Sequence, residues 1–258
     1  MSESGRPESA SLNGPEAGDG EYVAPPSTRR RRRGCGRLAL VALAVLLLWA
    51  GWEWLTWPDV AGLAERSPET SAFIERARRQ GDVAWTWVSY DRISPHLKRA
   101  VLVSEDIGFH SHDGFERAEM KTALREAWAE KELPRGASTI TQQVAKNLWL
   151  SSSYNPLRKV EEALLTRQLE RHLSKRRILE IYLNVAEFGP GVFGAEAAAR
   201  RYYGTSAAGL GEWQAAQLAA ALSRPRSWYP GVTSGGYRWK TNLILGRMRQ
   251  AGWLWRVI

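Results

Sequence analysis

Fifteen consecutive residues, Leu38 to Trp52, carry no charge, and the apolar stretch reaches Trp57 if Glu53 extends its carboxylate to the bilayer edge. The resulting span of about 20 residues is the length at which a helix crosses the hydrocarbon core of a membrane. Arg29 to Arg33 and Arg37 flank one end, while Trp49, Trp52, Trp54 and Trp57 crowd the other. That asymmetry is the pattern of a positive-inside anchor facing an aromatic interfacial belt. It predicts one transmembrane helix over 38–57, with a cytoplasmic N-terminus and the bulk of the chain outside. A cleaved signal peptide has a shorter apolar core ending in a small-x-small site, and no such site follows Trp52.

Beyond Pro58 the apolar spacing is mostly helical. Ala61–Arg66 and Thr70–Arg79 read as an amphipathic approach to the domain. Val83–Tyr90 alternates and is rich in β-branched and aromatic residues, which makes it the one credible strand. Ser94-Pro95 is a helix-start signal ahead of Leu97 to Val103. Helical spacing recurs over Glu116–Glu132 and Ser138–Leu150, separated by the breaker Leu133-Pro134-Arg135-Gly136. A long periodic run follows through Val160, Leu164, Leu165, Leu169 and Leu173, then Ile178, Ile181 and Tyr182. Leu210–Leu222 reads as an alanine-rich helix stopped by Ser223-Arg224-Pro225. The pattern is mainly α with a minor extended piece and no internal repeat.

Composition narrows this picture. Residues 1–37 hold an acidic, Pro- and Gly-bearing stretch and then the arginine run, and bury too little apolar surface to offset ordering entropy, so they read as a disordered, basic-ended cytoplasmic tail. The remainder, 58–258, has the length of one well-packed domain. A formal charge of +9 suits an anionic partner. The arginine run abuts the apolar segment, so membrane lipid accounts for it and nucleic acid does not. Cys35 is the single cysteine, which rules out an intramolecular disulfide and a cysteine-built zinc site.

Three segments carry candidate chemistry. Glu105 follows the apolar run Val101-Leu102-Val103 and precedes a polar, glycine-containing stretch, a placement suited to proton transfer. An ordinary surface carboxylate at a helix end fits the same local pattern. Gly136 to Asn147 opens a helix with Ser138, Thr139, Thr141, Gln142 and Gln143. Gly136 and Ser138 are the candidate caps, and so dense a run of hydroxyls and amides beside a helix N-terminus suits sugar and phosphate oxygens. A solvated polar face is the plain alternative. Arg158-Lys159-Val160-Glu161-Glu162 places two cations one turn before a carboxylate, which an i, i+4 salt bridge also explains.

In order, these segments resemble the motifs of the family 51 glycosyltransferases, the peptidoglycan transglycosylases, and in particular their monofunctional biosynthetic members. Glu105-Asp106-Ile107-Gly108-Phe109-His110-Ser111-His112-Asp113-Gly114 is similar to Glu-Asp-x-x-Phe-x-x-His-x-Gly. Gly136–Gln143 is similar to Gly-x-Ser-Thr-Ile-x-Gln-Gln, and Arg158–Glu162 to Arg-Lys-x-x-Glu. Ile178–Asn184 and Ala186–Gly194 continue the likeness, which spans roughly Trp87 to Pro225. Two positions depart from the family pattern: Tyr154 stands where an arginine is common, and Gln214 where a glutamate is common.

The resemblance implies a lysozyme-like helical domain over 58–258, with its core at about 87–225 and a small membrane-proximal lobe, behind one inner-membrane helix and facing the periplasm. It implies polymerisation of lipid II into β-1,4-linked glycan strands by inverting transfer, with release of undecaprenyl pyrophosphate. Glu105 is then the catalytic base and Glu162 supports the leaving group. Ser138, Thr139, Gln142, Gln143, Lys146, Arg158, Lys159 and Asn184 are the expected substrate-binding residues. No cofactor is required, although a divalent cation, Mg or Mn, is compatible with the pyrophosphate. The implied partners are lipid II, the growing glycan chain, membrane lipid, and cell-division or transpeptidase proteins. No transpeptidase activity is expected, since no Ser-x-x-Lys follows the motifs. The competing readings are a lytic transglycosylase or muramidase, which cleaves glycan from a similar fold, and a non-catalytic cell-wall scaffold.

Overall fold

The computed structural model describes residues 39–45, 47–48, 51, 57–116, 138–150 and 156–258. The chain divides into two compact units, 1–57 and 58–258. In the first, residues 39–45, 47–48 and 51 are helical and exposed, with Leu40, Val41, Leu43, Val45, Leu47 and Leu48 presenting apolar side chains. The rest of the expected span, like the expected tail, lies outside the described residues. Among the described residues, no helix is long and apolar enough to cross a membrane.

The second unit is mainly helical with a small sheet, consistent with the lysozyme-like domain implied by the motifs. Helix α1 covers Ala72–Arg78 and starts where Ser71 Oγ accepts the Ile74 N–H at 3.1 Å. Helix α2, Pro95–Glu105, begins as the Ser94-Pro95 signal predicts, with Ser94 Oγ accepting the His96 N–H and proline in the first turn. Leu97 and Ala100 to Val103 are buried along it. A fully buried leucine or valine contributes about 1.5–3 kcal/mol through removal from water.

Two cations also lie buried in α2, each held against an aromatic ring. Arg99 donates to the Met248 carbonyl at 2.5 Å and stacks over Trp255, while the Lys98 ammonium lies 3.7 Å from the Tyr90 ring centroid.

Helix α3 is Ile140–Trp149, α4 is Pro156–His172 and α5 is Lys175–Val185. The long apolar run from Val160 to Tyr182 is therefore two helices, because Ser174 caps α5 by accepting the Arg177 N–H. Helix α3 packs on α1, α4 and α5. Helices α6 (Ala195–Tyr203), α7 (Glu212–Ala221) and α8 (Gly235–Gln250) complete the set, and α2 packs against α7 and α8. The alanine-rich segment starts its helix at Glu212, where Gln214 reaches back to accept the Gly211 N–H. The unusual Gln214 is thus a helix-end residue.

The strand expected over Val83–Tyr90 is only partly realised. Strand β1 is Ala84–Trp85, β2 is Glu187–Gly189 and β3 is Val192–Phe193, in the order β1-β3-β2. Strand β1 runs parallel to β3, and β2 runs antiparallel to it. Past Trp85 the backbone leaves the sheet, because the Asn184 side chain takes over its pairing and Tyr90–Arg92 turns into a 3-10 helix. The helix expected over Glu116–Glu132 falls, apart from Glu116, outside the described residues.

Candidate active site

Glu105 is the last residue of α2, half-buried where the helix opens into the loop 106–114. Its Oε1 accepts the Ser104 hydroxyl at 3.1 Å, and its Oε2 accepts Gln143 Nε2 at 3.1 Å. The first motif is thereby joined to the second across 38 residues of sequence.

Asp106 makes the second join. Its Oδ2 accepts the backbone N–H of Ile140, the first residue of α3, at 2.9 Å, and its Oδ1 lies 2.9 Å from His112 Nε2. Thr139 Oγ1 donates to the Gly114 carbonyl at 2.8 Å, closing the loop onto α3. Gly114 has a φ of +88°, and a Cβ there would come within 2.7 Å of Thr166 and 2.9 Å of Glu170. Only glycine fits both the backbone and the approach to α4.

Asp106, His112 and Glu116 each bring a ligand atom within 4.8 Å of the others, the spacing of a metal cluster. The hydrogen bonds oppose that use. Gly114 N–H donates to His112 Nδ1 at 3.1 Å, so the ring proton sits on Nε2 and is donated to Asp106. Ligation through Nε2 requires the reverse tautomer, with Nδ1–H facing an acceptor. The residues fit a hydrogen-bonded clamp and do not fit a metal centre. Next to it, burial lowers the His110 pKa, reinforced by Lys175 and opposed by Asp106.

The expected substrate-binding residues divide. Gly136 lies outside the described residues, and Thr139, not Ser138, is the cap of α3. Its hydroxyl accepts the Gln142 N–H while Gln142 Oε1 accepts the Thr139 N–H, a reciprocal capping box that buries both residues. The Thr139 hydroxyl and the Gln142 amide oxygen are therefore engaged at the helix end and the loop beside it. Thr141 donates to Glu170 at 2.5 Å, and Lys175 donates to the same oxygen. Asn184 corrects the expectation outright. It is fully buried, its Oδ1 accepts the Val88 N–H, and its Nδ2 donates to the Val88 and Glu180 carbonyls. It clamps the chain beside β1 and has no face left for a ligand. Ser138 is half-buried at the mouth of α3, with its carbonyl accepting from Gln143.

Arg158 and Lys159 lie together beside Glu162. Glu162 is buried at 3% exposure, bonded to Lys159, with Arg158 at 3.9 Å. Arg158 Nε is buried without a hydrogen-bond partner among the described residues. On α3, one turn after Gln143, Lys146 is half-buried. Burial lowers its pKa from 10.5, Glu162 and Glu105 oppose that shift, and Arg158 and Lys159 reinforce it. Lys146 thus feels both carboxylates. Tyr154 lies outside the described residues.

Sequence reasoning gave no separate role to Asp106, His112 or Tyr182. The signal for the first two was the fixed Asp and His of the first motif, six residues apart. The signal for Tyr182 was its place in the family-like segment Ile178–Asn184, where it reads equally as one more apolar position of a periodic run. Away from this region, Phe73, Arg76, Gln80, Glu187, Phe193 and Arg226 line a cavity of about 380 Å³ between α1 and the sheet.

A family model described as Transglycosylase matches residues 72–249. A biosynthetic peptidoglycan transglycosylase of Methylobacillus flagellatus is 44% identical over 219 residues, covering 82% of this chain and 94% of that protein. One from Bordetella avium is 45% identical over 235 residues, covering 85% and 96%. One from Alcanivorax borkumensis reaches 51% over 167 residues, covering 65% and 68%. The chain belongs to the transglycosylase family, as its motifs led one to expect.

Proposed function

We propose that this chain polymerises lipid II into β-1,4-linked glycan strands, with Glu105 as the base. It is a peptidoglycan glycosyltransferase acting at the cell envelope, and the relatives' shared name supports strand synthesis over cleavage. The observation that carries the residue assignment is the placement of Glu105 against Gln143, with Lys146 one turn further along the same helix.

In this reading the Glu105 carboxylate takes the proton of the acceptor 4-hydroxyl as that oxygen attacks the anomeric carbon of the lipid-linked donor. The bond from that carbon to the pyrophosphate breaks, its electron pair leaves with the pyrophosphate, and configuration inverts in one step. Lys146, Arg158 and Lys159 stabilise the charge that develops on the leaving group. Glu162 holds Lys159 and Arg158 in place and forms no covalent intermediate. Ser138 and Gln143 line the sugar side. A divalent cation, Mg or Mn, belongs only at the pyrophosphate, and the scheme needs no cofactor. Residues 38–57 anchor the enzyme in the inner membrane, with 1–37 cytoplasmic and the domain 58–258, including a small membrane-proximal lobe, on the periplasmic side. The segment's apolar length and its arginine and tryptophan flanks support that topology.

The test is incubation of the purified protein with labelled lipid II, with and without moenomycin, the inhibitor expected from the family. Polymer that forms only without the inhibitor and is digestible by a muramidase supports the reading. Cleavage of preformed glycan without polymer formation would establish the lytic alternative.

A further inference from the structure

Tyr182, on α5, is 1% exposed and lies among apolar side chains, yet its hydroxyl has a specific partner: it donates to Gln143 Oε1 at 3.0 Å. The amide nitrogen of the same glutamine donates to Glu105 Oε2 at 3.1 Å. A side-chain amide has one accepting and one donating end, so fixing one end fixes the other. An ionised carboxylate only accepts, and turning the amide over would set a carbonyl oxygen against it.

We propose that Tyr182 is a positioning residue for the base: its hydroxyl locks the Gln143 amide so that Nε2 points at Glu105 and holds the carboxylate in its reactive orientation. Burial, then Glu105 and Asp106, raise the tyrosine pKa well above 10, so the hydroxyl keeps its proton and remains a donor throughout the working range. Gln143 has a second anchor in the Ser138 carbonyl at 3.4 Å, which steadies the same amide nitrogen, while among the described residues Oε1 accepts from Tyr182 alone. The contact joins the family-like segment Ile178–Asn184 to the first motif through the second, and it needs no contact between Tyr182 and substrate. The inference rests on the reading of Glu105 as the base.

The experiment is a double-mutant cycle on the full-length protein with labelled lipid II, using Tyr182→Phe, Gln143→Ala and both together. Tyr182→Phe keeps the ring and removes the hydroxyl. The expected result is a kcat lower by about 10-fold or more with KM within about twofold, as for a misplaced catalytic group. If Tyr182 acts through Gln143, the double variant is no slower than Gln143→Ala alone, whereas effects that multiply overturn the inference. Wild-type kcat in Tyr182→Phe also overturns it. Gln143→Asn, too short to reach both partners, covers the case in which Tyr182→Phe does not fold: it should lose kcat at constant KM, and full activity contradicts the relay. Activity retained in Glu105→Gln defeats the underlying reading, while a dead Glu105→Gln beside an unaffected Tyr182→Phe defeats this inference only.

Discussion

Asp106 accepts the backbone N–H of Ile140 at 2.9 Å, so the residue next to Glu105 is tied to the first residue of the helix that carries Gln143 and Lys146. This bond fixes the two halves of the site relative to each other. Asp106→Asn can satisfy Ile140 only by turning its NH2 toward the His112 Nε2–H, donor against donor. A buried polar group left unpaired costs about 1–3 kcal/mol. The variant should unfold at lower temperature and lose polymerisation, measured by thermal denaturation and lipid II turnover. Wild-type values for both would show that the clamp is dispensable.

Lys146 presents a trade between stability and activity. Its folded-state pKa is lowered, chiefly by burial, so below 10.5 the unfolded chain binds its proton more tightly than the native state does. Stability therefore rises with pH through the window below 10.5, and the full cost is present at neutral pH. Lys146→Met should melt higher than wild type at pH 7 and polymerise about 10²-fold more slowly, the scale for losing one charge-stabilising group. A lower melting temperature at pH 7 would refute the stability half of this prediction.

Glu187 is a half-buried carboxylate whose pKa is raised by burial, against the pull of Arg226 and a backbone hydrogen bond from Gly191. The native state binds its proton more tightly above 4.5, so stability falls as pH rises through that window and the penalty is complete at neutral pH. Glu187→Gln should melt above wild type at pH 7, with the difference vanishing below pH 4.5. Melting curves at the two pH values decide it. A difference that persists in acid points to a packing effect.

Asn184→Ala tests the corrected role of that residue. The substitution orphans both the N–H and the carbonyl of Val88, which should lower stability by about 2–4 kcal/mol and leave KM for lipid II unchanged. A raised KM in a protein of normal stability would restore Asn184 to the substrate.

What the sequence revealed follows from the range of each interaction. Ser94-Pro95 and the apolar face behind it are local, so the start of α2 was readable to the residue. The cap of α3 was local too, but Thr139 and Gln142 lie among other hydroxyls and amides, and the pattern did not separate helix-end groups from ligand-facing ones. The sheet was missed beyond β1 because strands of two or three residues show no periodicity, and their pairing joins Trp85 to Phe193. Helix α8 escaped notice because its buried positions, Tyr237, Thr241, Ile244, Leu245 and Met248, include a polar group satisfied only in the fold, the Tyr237 hydroxyl donating to the Gln217 carbonyl. Glu105 was legible through its motif, whereas Tyr182 became visible only when α5 was set against α3.

The central claim is that Glu105 removes the acceptor proton. Its most direct test is the rate of labelled lipid II polymerisation by full-length Glu105→Gln, with the fold checked by circular dichroism. Glutamine keeps the shape of the side chain but removes its basicity. The account predicts a folded protein slower by at least about 10²-fold, the usual contribution of a general base. Undiminished polymer formation by that folded variant would contradict it.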